Sequence, residues 1–303
     1  MSVKISIIIP TYKRHGSLEK ALTSIAQYKP VDSEIIIVDQ SPDSKKKSNS
    51  FKNKFPFIQY ICLPGPSLPH ARNTGIINST GSIILFLDDD ATVHPDCFNE
   101  HLAAHAQNDN DVVAGRIKQM NRDVSWAETD TVASIDSRTG ENTGNFDLDY
   151  EGDVLYATGG HMSVKRDVFK TTGLFNTFFI GNALFEDIEF SLRLRKHGYF
   201  TKYNPRAIMY HYPESKGGCH DSNNTNYLLE RLHNHVLFYT LHFNVTPSRE
   251  FIIYIKNLME YISRKKGGSH DILKFCLCLL FFFKAYISAG ISFVYNPRLS
   301  EQK

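Results

Sequence analysis

Three consecutive carboxylates, Asp88, Asp89 and Asp90, follow directly on the apolar run Ile83–Leu87. Side by side they repel one another, so an uncompensated cluster of this kind is unfavourable. A divalent cation removes the conflict: Mg²⁺ and Mn²⁺ take oxygen ligands and are typically held by one or two carboxylates together with substrate phosphates. The plainer alternative is an acidic loop ahead of the helix that begins near Pro95, with Asp96 well placed at its positive end. Two further polar groups stand at equivalent points. Pro10-Thr11-Tyr12-Lys13-Arg14 closes the β-branched run Ile5–Ile9, and Asp39 ends Glu34–Asp39. His211, ending Ala207–His211, offers a neutral imidazole as a third metal ligand, or is a hydrogen-bonded histidine of the interior. Gly159-Gly160 lets backbone approach a ligand closely, glycine having no Cβ, or is an ordinary turn.

These residues need a scaffold that brings them to one edge. Ile5–Ile9, Glu34–Asp39, Ile58–Cys62 and Ile83–Leu87 read as buried parallel strands. Between them lie a helix capped by Ser17, with Leu18, Ala21, Leu22 and Ile25 on one face, and a helix through Ala71–Ile77. Strand alternating with helix predicts an α/β fold with right-handed crossovers. In such a sheet ligands bind beyond the carboxyl ends of the strands. An aromatic, a basic residue and several carboxylates converging there describe a nucleotide site with a metal. Residues 117–153 read as a long excursion off the sheet. Regular structure resumes with Val154–Thr158 and Met162–Lys165, then a helix over Glu186–His197 stopped by Gly198. Beyond Asn223 the pattern is helical, and Lys45–Lys47 reads as a solvated run.

SIIIPTYKR, EIIIVDQSPD, ARNTGI, ILFLDDDATVHPD and FEDIEFSLRLRKHGY, taken in order over about residues 3–212, resemble the successive motifs of family 2 glycosyltransferases. The resemblance implies a GT-A fold: a mostly parallel central sheet with helices on both faces, here with a helical C-terminal extension. It implies a nucleotide-sugar donor, a divalent metal (Mn²⁺ or Mg²⁺) and inversion at the anomeric carbon. Thr11, Tyr12, Arg14 and Asp39 match positions that hold base and ribose, beside Pro10, and Arg72 matches a nucleotide contact. Asp88 and Asp90 match the outer members of the D-x-D motif around Asp89, Asp90 being the better metal ligand, and the position of His211 also fits a ligand. Asp187 of the Glu186-Asp187 pair matches the base. A sugar hydroxyl is a poor nucleophile, and a positioned carboxylate taking its proton contributes ~10²–10⁴-fold; two acids at a helix start also serve as a simple cap. Gln40-Ser41-Pro42 departs from the commonest family pattern, and 117–153, the expected acceptor side, matches none of its motifs.

Composition narrows the rest. The net charge of +2 argues against nucleic acid as partner. It is uneven: from Arg231 onward ten Lys/Arg face four Asp/Glu, leaving residues 1–230 at −4. Cys62, Cys97, Cys219, Cys276 and Cys278 form no CxxC pair and no spacing typical of zinc, which suggests free thiols in a reducing compartment. His101, His105, His233, His235 and His242 lie in helical stretches with no shared face at metal spacing. The N-terminus lacks a signal-peptide pattern, so a cytoplasmic location is expected. Phe275–Tyr295 is apolar but for Lys284, and Arg264, Lys265, Lys266 and Lys274 precede its core. Its length is near that needed to span a bilayer, but Lys284, Ser288 and Ser292 argue against spanning. It reads as resting on the cytoplasmic face of an anionic membrane or as a helix packed on the protein. The family resemblance implies a glycan or lipid-linked glycan as acceptor. The expected division is a transferase domain over 1–222 and a helical extension over 223–303. The donor would carry UDP, GDP or dTDP. The rivals are a nucleotide-sugar-binding protein without turnover and a dinucleotide oxidoreductase. Against the latter, PTYKRHG stands where GxGxxG would follow the first strand.

Overall fold

The computed structural model describes residues 4–106, 110–120, 129–214, 217–218, 225–243, 248–264 and 272–294. It opens with strands and helices in alternation: β1 (Ile5–Thr11), α1 (His15–Tyr28), β2 (Ser33–Asp39), α2 (Ser44–Lys54), β3 (Ile58–Cys62), α3 (Leu68–Ile77) and β4 (Ile83–Leu87). Then come β5 (Ala91–Val93), α4 (Cys97–Ala106), β6 (Val112–Gln119), β7 (Ser134–Ile135), β8 (Asn142–Thr143), β9 (Gly152–Val154), β10 (His161–Lys165) and α5 (Arg166–Thr172). The chain continues through α6 (Glu186–Lys196), β11 (Thr201–His211), α7 (Thr225–His242), α8 (Arg249–Arg264) and α9 (Ile272–Val294).

The central sheet is ordered β3-β2-β1-β4-β10-β6-β11-β5, with β9 also paired to β11. Strands β1, β2, β3, β4, β6 and β11 share one direction; β10, β5 and β9 run against it. The expected mostly parallel α/β sheet, flanked by helices, is therefore what the chain forms. Every residue of β1 and β4 is buried, as their unbroken apolar runs require of strands covered on both faces. Because β1, β2 and β4 run in parallel, their carboxyl ends place Thr11, Asp39 and Asp88 along one edge.

Several local expectations are corrected. Helix α1 begins at His15, so Ser17 is not its cap; its hydroxyl donates to the Glu214 carboxylate instead. The run Val154–Thr158 leaves the sheet after Val154. The Ala157 N–H donates to Ser191 Oγ and the Gly159 N–H to Asp187 Oδ2, both on α6, so neither joins a strand ladder. Residues 117–153 are only partly an excursion: Ile117–Gln119 extend β6 alongside β11, and Gly152 re-enters at β9. Between them the small hairpin β7–β8 forms its own sheet, and residues 121–128 lie outside the described residues. The solvated lysines Lys45–Lys47 sit on α2, whose buried side is only Ser44, Ser48 and Phe51.

Candidate active site

A cavity of about 270 Å³ opens at the carboxyl edge. It is lined by Pro10, Thr11, Tyr12, Arg14, Arg72, Asp88, Asp89, Asp90, Gly160, Glu186, Asp187 and His211. All the anticipated site residues meet there but Asp39. An adjoining hollow of about 350 Å³ shares Tyr12, Gln40, Leu68, Asn182 and Gly218 with it.

The three aspartates separate into two roles. Asp89 turns inward: Thr11 Oγ1 donates to its Oδ2 at 2.6 Å and Arg14 Nη1 lies 3.4 Å from its Oδ1. Burial, and then the charge of Asp90, push its carboxyl up to about 7. Asp90 is met by Arg14 Nη1 at 2.7 Å and His211 Nε2 at 3.0 Å. Burial alone would raise its pKa, but the His211 hydrogen bond and the Arg14 charge outweigh it and hold the carboxyl low. His211 moves the other way: against burial, Asp90 and Asp88 raise it. The Nδ1–H of His211 donates to Gln119 Oε1 at 2.9 Å. That bond leaves Nε2 directed at Asp90 and 4.0 Å from Asp88 Oδ2. Ligand atoms of Asp88, Asp90 and His211 all lie within 4.8 Å of one another. Two carboxylates and an imidazole oriented through its other nitrogen are a donor set that suits a divalent cation.

Gly160 leaves room for Asp88 in this position, since a Cβ there would stand 2.1 Å from its Oδ2. Its carbonyl accepts the Asp88 N–H at 3.2 Å, which ties β10 to the acidic loop. Gly159 similarly faces Arg72, where a Cβ would lie 2.5 Å from Nη2.

The start of helix α6 joins the same lining. Glu186 and Arg72 form a buried ion pair. Burial, with the Asp187 charge, pushes the Glu186 carboxyl up to about 8 against the pull of Arg72. Asp187 is less enclosed; its oxygens accept one N–H each, from Gly159 and from Ile188, both at 2.9 Å. Each keeps a lone pair for another donor. The turn before it is unusual: Ala183 and Phe185 have φ of 53° and 74°, a left-handed conformation costly for residues with a Cβ.

Asp39 is fully buried below the cavity rather than in it. Tyr60 OH donates to its Oδ2 at 2.5 Å, His15 Nε2 at 2.8 Å, and the Ser41 N–H to its Oδ1 at 2.8 Å. Its neighbour Gln40 reaches the lining and accepts the Ser67 N–H at 2.5 Å. Gln40, Asn182 and Glu214 were not anticipated. Gln40 had a signal, its place after a strand-end carboxylate; the other two carried none.

The model of glycosyl transferase family 2 matches residues 6–173. The uncharacterized glycosyltransferase YfnE of Bacillus subtilis is 30% identical over 116 residues, 37% of this chain and 30% of that protein. Glycosyltransferase AglE of Haloferax volcanii is 23% identical over 240 residues, 75% of this chain and 70% of its own. Among solved structures, GalNAc-T7 with UDP, GalNAc and Mn²⁺ superposes with a TM-score of 0.65 at 15% identity, covering 98% of this chain and 58% of that one. The chain thus spans less than a third of YfnE and somewhat over half of GalNAc-T7.

Proposed function

The chain belongs to glycosyl transferase family 2, and from that premise we propose that it transfers a sugar from a nucleotide-diphosphate sugar to an acceptor hydroxyl, with inversion at the anomeric carbon. One observation carries the reading: a single cavity gathers the Asp88–Asp90–His211 donor set and a partly exposed carboxylate, Asp187, held in place by two backbone N–H groups.

Asp88, Asp90 and His211 would hold Mn²⁺ or Mg²⁺, whose chemistry there is to neutralise charge on the departing diphosphate. Arg72 adds a fixed positive charge to the same cavity, and Glu186 keeps its guanidinium oriented. Tyr12 and Gln40, shared by both hollows, would meet base and ribose, while Asp39, outside the lining, holds the Ser41 N–H beside Gln40. Asp187 takes the proton of the acceptor hydroxyl as oxygen attacks from the face opposite the leaving group. The UDP of GalNAc-T7 makes a UDP-sugar the first donor to test, with GDP- and dTDP-sugars beside it.

The acceptor reading is a glycan or lipid-linked glycan, met by a transferase unit over 1–222 with a helical extension behind it. Among the described residues no helix is long and apolar enough to cross a membrane. Helix α9 instead carries two apolar faces. Cys278, Ala285 and Ala289 are buried, and Leu280, Phe283 and Ile287 on another side are at least 60% exposed. The exposed row supports peripheral seating at a cytoplasmic membrane face; of the basic residues expected beside it, Lys265 and Lys266 lie outside the described residues.

Asp187→Asn tests the reading. The amide keeps the shape but takes no proton at neutral pH, so donor affinity should survive while turnover falls by ~10²-fold or more. Turnover equal to the parent's would remove the base. A product with the donor's own anomeric configuration would remove single displacement. Intact donor binding with no transfer to any glycan acceptor would leave a binding protein.

A further inference from the structure

A second cluster of ligand atoms lies behind the cavity, in a region the sequence analysis set aside. Cys97 and His101 stand four residues apart on α4, so both side chains leave the same face of the helix. His161, the first residue of β10, meets them: its Nε2 lies 3.4 Å from Cys97 Sγ and 3.1 Å from His101 Nε2. The three ligand atoms fall within 4.8 Å of one another, and none of the three residues is exposed. The expectation that His101 has no partner at metal spacing is corrected: Cys97 shares its face of α4, and β10 brings His161 to both. Gly115 in β6 makes room for the His161 ring, since a Cβ there would lie 2.2 Å from its Cε1.

The surrounding hydrogen bonds assign the protons. His105 Nδ1 faces the Asn110 carbonyl at 2.9 Å, which only accepts, so Nδ1 carries the hydrogen. Burial keeps that ring neutral, its pKa pulled down to about 4, so its Nε2 is an acceptor. Ser163 Oγ, 2.7 Å away, therefore donates to it and accepts from His101 Nδ1 at 2.8 Å. That leaves a lone pair on His101 Nε2, aimed at His161 Nε2 and Cys97. Either a proton or a cation must lie in the gap.

We propose that Cys97, His101 and His161 bind a zinc ion. One thiolate and two imidazoles are a borderline-soft set that suits Zn²⁺ rather than the Mg²⁺ or Mn²⁺ of an oxygen site. With Zn–N and Zn–S bonds of about 2.0–2.3 Å, the two separations from His161 Nε2 each give an angle of roughly 100° at the metal, in the tetrahedral range. The fourth position takes a water or hydroxide. Binding converts the Cys97 thiol to a thiolate and releases its proton to solvent. The Ser163–His105 chain orients His101, as hydrogen-bond partners of metal-bound imidazoles do. The site is structural: it pins α4 to β10 next to Gly160, whose carbonyl holds the acidic loop, and so fixes the rear wall of the cavity.

Metal analysis after a chelator wash and desalting is the test. The parent chain should retain about one zinc per chain, because all three ligands are fully buried. Asp90→Asn should retain it too, and Cys97→Ser and His161→Gln should lose it. Adding Co²⁺ to the zinc-free parent chain should give the intense near-ultraviolet thiolate-to-cobalt band, present in Asp90→Asn and missing in Cys97→Ser. This spectrum needs no folded variant of the cluster. A parent chain with neither retained zinc nor the cobalt band would overturn the proposal, as would undiminished zinc in Cys97→Ser.

Discussion

Among the described residues two sets of three ligand atoms lie on either side of the Gly160–His161 step, and they differ in hardness, charge and exposure. In front, Asp88, Asp90 and His211 offer two carboxylates and an imidazole, with the Asp88 and His211 side chains 40% and 21% exposed. Behind, Cys97, His101 and His161 offer a thiol and two imidazoles with no exposure. A hard, charged, open set suits a cation that arrives with a diphosphate and leaves with it. A soft, neutral, closed set suits one that stays. Burial also moves the acids and the histidines around them in opposite senses. It raises the acids Asp89 and Glu186 and lowers the histidines His105 and His161.

The contrast breaks most visibly at Asp90. Asp90→Asn removes the charge that Arg14 and His211 both address. Turnover should fall by ~10²-fold or more, the scale of several kcal/mol of metal-assisted charge stabilisation. The variant's remaining turnover should no longer respond to a chelator, while its zinc content stays that of the parent. Chelator sensitivity equal to the parent's would mean that the front site holds no catalytic cation.

A smaller loss is expected at the step that joins the two regions. Gly160→Ala puts a methyl group 2.1 Å from Asp88 Oδ2, so the carboxylate must swing away from His211. A misplaced ligand of this kind should lower kcat/KM by ~10-fold or somewhat more. Zinc retention should be untouched, because His161 keeps its pairing with Leu87. Unaltered kinetics would show that Asp88 has another usable position.

How far the sequence carried these assignments depends on the distance between partners. Strand-end positions were legible because an unbroken apolar run, as in Ile83–Leu87, marks where the sheet stops and the acids begin. Which way a strand-end side chain turns was not: Asp39 goes down to Tyr60 and His15, a choice made by β3 and α1 rather than by β2. Helix α2 hid because a single Phe51 gives no period to read. Ala183 and Phe185 adopt positive φ with none of the residue types that announce it. The rear cluster hid for a simpler reason. Cys97 and His101 are neighbours on a helix, but His161 is 60 residues beyond His101 and arrives only because β10 pairs between β4 and β6.

The finest difference between the regions lies in how each answers acid. A carboxyl raised by folding binds its proton more tightly folded than unfolded, so between about pH 4.5 and its folded value stability rises as pH falls. Glu186 and Asp89 behave so. A histidine lowered by folding does the reverse. For His105, with an unfolded value near 6.5 and a folded one of about 4, the unfolded chain holds more protons between those limits. Its contribution is complete above pH 6.5 and is lost as pH falls through 4. From pH 7 to pH 5.5 the loss from this one ring is about 1 kcal/mol, some fivefold in the folding equilibrium. His105→Gln keeps a donor and an acceptor for Asn110 and Ser163 but does not titrate. Its constant cost is the same at both pH values, so urea denaturation of the zinc-free proteins should show the variant losing about 1 kcal/mol less than the parent over that interval. Equal losses in the two would mean that folding leaves the proton affinity of His105 unchanged, so that the ring is charged in the folded chain at pH 5.5. Ser163 would then donate to His101 Nδ1, and the lone pair assigned to His101 Nε2 would be gone.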